Sequence, residues 1–194
     1  MKYELTNETK KINDKTLYRV KALKDFGKVK KGDLGGFVQS EKNLSQEGLC
    51  WVYGKAVVYG YARIYDKAQV FGDARVYGEA QVYGSARVYG YARVYGEAQV
   101  YGNAQVYGNA VVFGKAKVYG YAQVHGKALV FDEARVCDEA GVCGNTQVCD
   151  KARVYGEAVV FDEAQVCGEA EVYDNARVYG EAQVHGNARV CGKD

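Results

Sequence analysis

From Val52 onward, apolar and polar positions repeat with a period of six, matching neither the 3.6 of a helix nor a plain alternation of two. An aliphatic residue returns every sixth position through Val190, always Val except at Ile64, which makes 24 hexads. The position two before it is Ala from Ala56 to Ala188, with Thr146 the single exception. An aromatic residue usually comes after the Val, and Gly or Asp always comes next, so the unit reads A-x-V-Y-G-x. On an extended strand the Ala and Val side chains point to one side, and the residue between them and the Tyr point to the other. Gly or Asp then takes a positive φ at low steric cost and turns the chain through a corner.

One strand and one corner make one side of a triangular prism. Three hexads, or 18 residues, close a coil, so the pattern predicts about 8 coils stacked at roughly 4.8 Å into a rod. The expected fold is all-β: a single-stranded, left-handed parallel β-helix whose narrow bore accepts only Val and Ala. An amphipathic helix is excluded, because a Gly in every second turn costs about 1 kcal/mol each. A disordered or collagen-like chain is excluded by the strict apolar register.

Residues 1–50 lack the repeat, and residues 51–194 hold it. Leu17 to Leu23 alternates as a strand, Asn13-Asp14 before it reads as a turn, and Gly32-Asp33 and Gly35-Gly36 punctuate the stretch after it. A solenoid exposes a sheet edge at its ends, so the first fifty residues are expected to form a small N-terminal β cap. Cys50, two before Val52, should point inward. At the other end, Val190, Cys191, Lys193 and Asp194 are the last residues of the final coil. The expectation drawn from them is a homodimer joined end to end through that coil.

The quoted unit resembles the hexapeptide repeat of left-handed β-helix proteins. With Asp33-Leu34-Gly35-Gly36-Phe37, Asn43-Leu44-Ser45 and Cys50-Trp51-Val52-Tyr53-Gly54, the chain resembles a group of bacterial and prophage proteins commonly labelled transferases. The resemblance covers the whole chain, is specific for fold and implies two functions. One is a phage- or prophage-encoded modulator or inhibitor of a host protein. The alternative is an acyltransferase-like enzyme, with a catalytic His between subunits and a loop extruded from one coil. The register is unbroken where such a loop would sit, so the expectation is no enzyme, no catalytic residues and no cofactor.

Composition narrows the chemistry. With 26 basic and 24 acidic residues the net charge is +2, which disfavours a strongly basic nucleic-acid binder. No run of about 18 apolar residues or signal-like N-terminus occurs. The six cysteines occupy repeat positions instead of a small disulfide framework, so they are expected to be reduced and the protein cytoplasmic. His125 and His185, the only histidines, are 60 residues apart; this is no multiple of 18, so they fall on different faces. Cys149, Cys167 and His185 do stack on one face, but their spacing supplies no fourth ligand and no metal is expected.

The stronger signal is aromatic. Tyr65, Tyr83, Tyr101 and Tyr119 fall in consecutive coils on one face, and Tyr59, Tyr77 and Tyr95 on another. Tyr61, Tyr91 and Tyr121 add corner rings. So much outward tyrosine favours a surface for a protein partner. Arg63 and Lys117 stand beside these rings, but corner residues such as Glu79 and Glu97 offset them, so nucleic acid is not the expected partner.

Overall fold

The computed structural model describes residues 1–192. The chain is a parallel β-solenoid. Each hexad forms one short strand, from Trp51–Val52 to Arg189–Cys191, and the strands stack into three flat faces. The first face begins at Trp51–Val52, the second at Val57–Val58 and the third at Arg63–Ile64; the first and third hold 8 strands each. Strand pairing is parallel with a shift of 18, as in Val88↔Val106 and Val106↔Val124. The strands are short because only the Ala-x-Val stretch is extended. The corner still contributes to the ladder: Gln105 N–H donates to Ala122 O at 2.9 Å, and Asn109 N–H to Gly126 O at 2.7 Å.

The bore is dry. The registered Ala and Val residues are buried from Val52 to Val178, each Val contributing about 1.5–3 kcal/mol of apolar burial. The repeat directs every registered Val into the bore, and Val184 and Val190 are the two that are not fully buried. They are half-buried, and the last described coil has no further coil over it among the described residues. Thr146, at an Ala position, buries a hydroxyl that has no hydrogen-bond partner.

Corners take positive φ, as at Gly96 (φ 69°) and Asp138 (φ 59°). A Cβ on Gly96 would lie 2.9 Å from Gly114 N in the next coil, so a side chain there must displace backbone as well as adopt a positive φ. Asp corners add a bond that Gly lacks: Asp138 Oδ2 accepts from Gly156 N–H at 3.1 Å, one coil on.

The cap grows out of the second face. Strands β1 (Tyr3–Ile12), β2 (Lys15–Ala22) and β3 (Leu34–Val38) form an antiparallel meander, and β3 pairs in parallel with Val57–Val58, making an 11-stranded sheet. Phe37-Val38 and Leu44 therefore begin a partial turn ahead of the first full coil. Gly35-Gly36 lies inside β3, where a Cβ on either residue would meet backbone oxygens at 2.5 Å. Side chains close the rest of the open end. Asn43 Nδ2 donates to Gly60 O and Ala62 O at 2.9 Å, taking the place of a missing strand. Buried Lys2 donates through Nζ to Glu47 O and Cys50 O at 3.0 Å, and Trp51 is buried edge-on to Tyr3 and Phe26. No helix among the described residues is long and apolar enough to cross a membrane.

Candidate functional site

The outward residue after each Val builds one ladder per face. On the third face Tyr65, Tyr83, Tyr101 and Tyr119 stack with centroids 4.8, 4.8 and 4.9 Å apart and planes within 4°. On the second, Tyr59, Tyr77 and Tyr95 continue into Phe113 and Phe131 at 4.8–5.1 Å. The first face carries Phe71, Tyr89, Tyr107 and His125 in the same way.

This spacing is set by the backbone, because parallel strands one coil apart hold equivalent residues about 4.8 Å apart. It has a chemical consequence. An inner ring of a ladder spends both faces on its neighbours, so along the row solvent meets ring edges and hydroxyls. Between its two end rings such a row offers phenol hydrogen bonds and apolar edges, and no open face on which a base could stack.

The third face is the most uniform. Its four consecutive rings are all tyrosines, and burial raises Tyr65, Tyr83 and Tyr101 above the ordinary phenol value. Tyr119 is pushed up to about 12, first by its hydrogen bond to the Cys137 sulfur and then by burial. Tyr65 Oη donates to Gln81 Oε1 at 3.1 Å, which fixes one hydroxyl. At the head of this face an open groove of about 610 Å³ is lined by Lys15, Gln39, Ser40, Lys42, Tyr61 and Arg63 among others. The second face is less free, since Tyr59 packs against the cap residues Leu17 and Phe37.

Tyr61, Tyr91 and Tyr121 are well exposed, at 81, 65 and 63%, but they do not join one surface. They come after Val58, Val88 and Val118, on three different faces, so each marks a different corner. Of these three, Tyr61 and Tyr121 border the third face, one ahead of Arg63 and the other after Tyr119, and Tyr91 marks the corner between the first and second faces. His125 lies on the first face and His185 on the second, as their spacing required. Burial lowers the His125 pKa. Val190 is half-buried and Cys191 exposed on the last strand; Lys193 and Asp194 lie outside the described residues.

Cysteine interrupts all three ladders within one coil, at Cys137, Cys143 and Cys149. Cys137 and Cys149 occupy the same repeat position as the ladder tyrosines and are buried. One expectation fails here. Cys149 and Cys167, expected as reduced thiols, form a disulfide between adjacent coils. That bond removes the reason for a reducing compartment drawn from the cysteine pattern. Spacing alone puts no carboxylate on this ladder, yet the Asp150 corner places Oδ2 3.9 Å from Cys149 Sγ.

The YdcK beta solenoid repeat family model matches residues 80–96, 98–112, 104–120 and 170–186. No curated protein matches the chain. Over those four stretches the chain is similar to the YdcK beta solenoid repeat, a likeness that agrees with the architecture and names no activity.

Proposed function

We propose that this chain is a non-catalytic rod whose third face binds a protein partner. The observation that carries the reading is the unbroken row of Tyr65, Tyr83, Tyr101 and Tyr119, stacked so that four phenol edges face outward in line. Arg63 and Lys117 flank the row on the same strands, and Lys15 and Lys42 stand at its head. The complementary surface carries carbonyl and carboxylate acceptors for the phenols and cations, with aliphatic groups against the ring edges. Inner rings stacked on both faces argue against a single-stranded nucleic acid tracking along the row.

Two features support a role without catalysis: the two histidines sit on separate faces, and the hexad register is unbroken. The coil is proposed to be left-handed, as in the hexapeptide proteins that the repeat resembles. A prophage-encoded modulator of a host protein is the special case that the sequence resemblance suggests.

The test is capture from a lysate of the source cell on immobilised protein, with bound proteins identified by mass spectrometry. Wild type should retain a partner that the double variant Tyr83→Ala/Tyr101→Ala loses and the first-face variant Tyr89→Ala/Tyr107→Ala keeps. Equal retention by both variants would place binding elsewhere. Micromolar coenzyme A binding in calorimetry, abolished in His125→Ala or His185→Ala, would favour the acyltransferase reading instead.

A further inference from the structure

We infer that Cys149, Cys167 and Asp150 form a redox-gated site for a soft divalent cation of the zinc class, closed while the disulfide stands. Cys149 and Cys167 lie in register one coil apart on the second face, with Cα atoms 4.7 Å apart. Their sulfurs and a carboxylate oxygen of Asp150 all lie within 4.8 Å of one another.

The carboxylate is held in place. Asp150 occupies a corner at φ 57°, and its Oδ2 accepts from Gly168 N–H at 2.8 Å, which keeps that oxygen 3.9 Å from Cys149 Sγ. A tetrahedral ion with Zn–S near 2.3 Å and Zn–O near 2.1 Å needs a sulfur–oxygen separation of about 3.6 Å, a few tenths of an ångström less. Two reduced sulfurs one coil apart fall roughly 4–5 Å from each other, close to the spacing that two thiolates adopt on one ion. The next residue on the same ladder is His185, exposed and one coil beyond Cys167; it lies outside the three-donor cluster, and ion binding is expected to draw its imidazole in as the fourth ligand of an S₂ON set. These four donor types suit zinc or cadmium and disfavour magnesium or calcium.

The gate is the disulfide. Reduction by a dithiol transfers two electrons and two protons to the Cys149–Cys167 bond, and the reductant closes to its own disulfide. The two thiols then release their protons to solvent as the divalent ion binds both thiolates. The site is independent of the third-face tyrosines and of any protein partner.

Cobalt is the probe. The intact chain is reduced with dithiothreitol, desalted without oxygen and titrated with Co²⁺. The expected result is one ion per chain with a thiolate-to-cobalt charge-transfer band that Zn²⁺ displaces. Cys149→Ser and Cys167→Ser should each abolish the band, Asp150→Asn should weaken binding on the order of tenfold, and Cys191→Ser should leave it intact. Should a serine variant lose its β circular-dichroism spectrum, wild type supplies the control: oxidation with diamide must erase the band and re-reduction restore it. Absence of the band in reduced wild type, its survival in a folded Cys149→Ser or Cys167→Ser variant, or equal binding by the oxidised chain would overturn the inference.

Discussion

The coils from Val52 to Phe131 and the coil carrying Cys137, Cys143 and Cys149 share one backbone, yet their side chains do different work. In the first region rings continue from coil to coil and every bore position is Ala, Val or Ile apart from Cys50 at its entrance. In the cysteine coil all three ladders stop, Gly141 replaces a larger outward residue, and Thr146 puts an unpartnered hydroxyl into the bore. The backbone ladder tolerates both, because it asks only for a small residue, a Val and a corner of positive φ. What stacks outside is therefore free to change. The tyrosine region uses that freedom for a uniform surface, and the cysteine coil uses it for covalent and donor chemistry.

The tyrosine region breaks most easily at its bore. Val106→Asp buries an unpaired charge among Val and Ala there, at a cost of several kcal/mol, and the rod should unfold. Circular dichroism checks this; a soluble variant with an unchanged spectrum would refute the packing described for the bore. In the cysteine coil the weak point is the covalent bond. Reducing Cys149–Cys167 opens a loop of 18 residues, worth about 3 kcal/mol by chain entropy. Thermal melts with and without reductant should differ accordingly, and Cys149→Ser should melt like the reduced chain.

Corners separate the two regions more finely. Gly96→Ala forces a Cβ to within 2.9 Å of the next coil at positive φ, and should cost about 2 kcal/mol. Asp138→Gly, in the cysteine coil, gives up only an exposed hydrogen bond and should cost less than about 1 kcal/mol in the same denaturant titration. The bore of the cysteine coil can even be improved. Thr146→Val keeps the volume and removes the orphan hydroxyl, so the midpoint should rise by the equivalent of about 1 kcal/mol.

Alkali should act on the tyrosine region most. Its folded-state phenols titrate above the ordinary value near 10, so their contribution is intact below that pH and is lost as pH rises toward the folded values, about 12 for Tyr119. Absorbance of ionised tyrosine should therefore climb together with loss of β structure above about pH 10.

The period of six made the fold legible, because a strand of Ala-x-Val and a corner of Gly or Asp admit few other arrangements. The ladders were legible for the same reason: a spacing of 18 is a spatial neighbour. The same arithmetic puts Tyr61, Tyr91 and Tyr121, which share a hexad position, at three different corners. Two things were not legible. Gly35-Gly36 reads as punctuation, whereas its cause is the approach of β3 to Val52 and Ala56, a contact between segments without repeat symmetry. Asp150 reads as a turn residue. Its second role depends on where a positive-φ corner aims a carboxylate, which the residue order alone does not give.

The claim that the third face is the one that binds is tested most directly by a tyrosine footprint. Nitration with tetranitromethane, mapped by mass spectrometry, is compared between the free rod and the complex recovered from lysate. Tyr65, Tyr83, Tyr101 and Tyr119 should be protected in the complex while Tyr89 and Tyr107 of the first face react as before. Protection of the first face with the third left reactive would contradict the account.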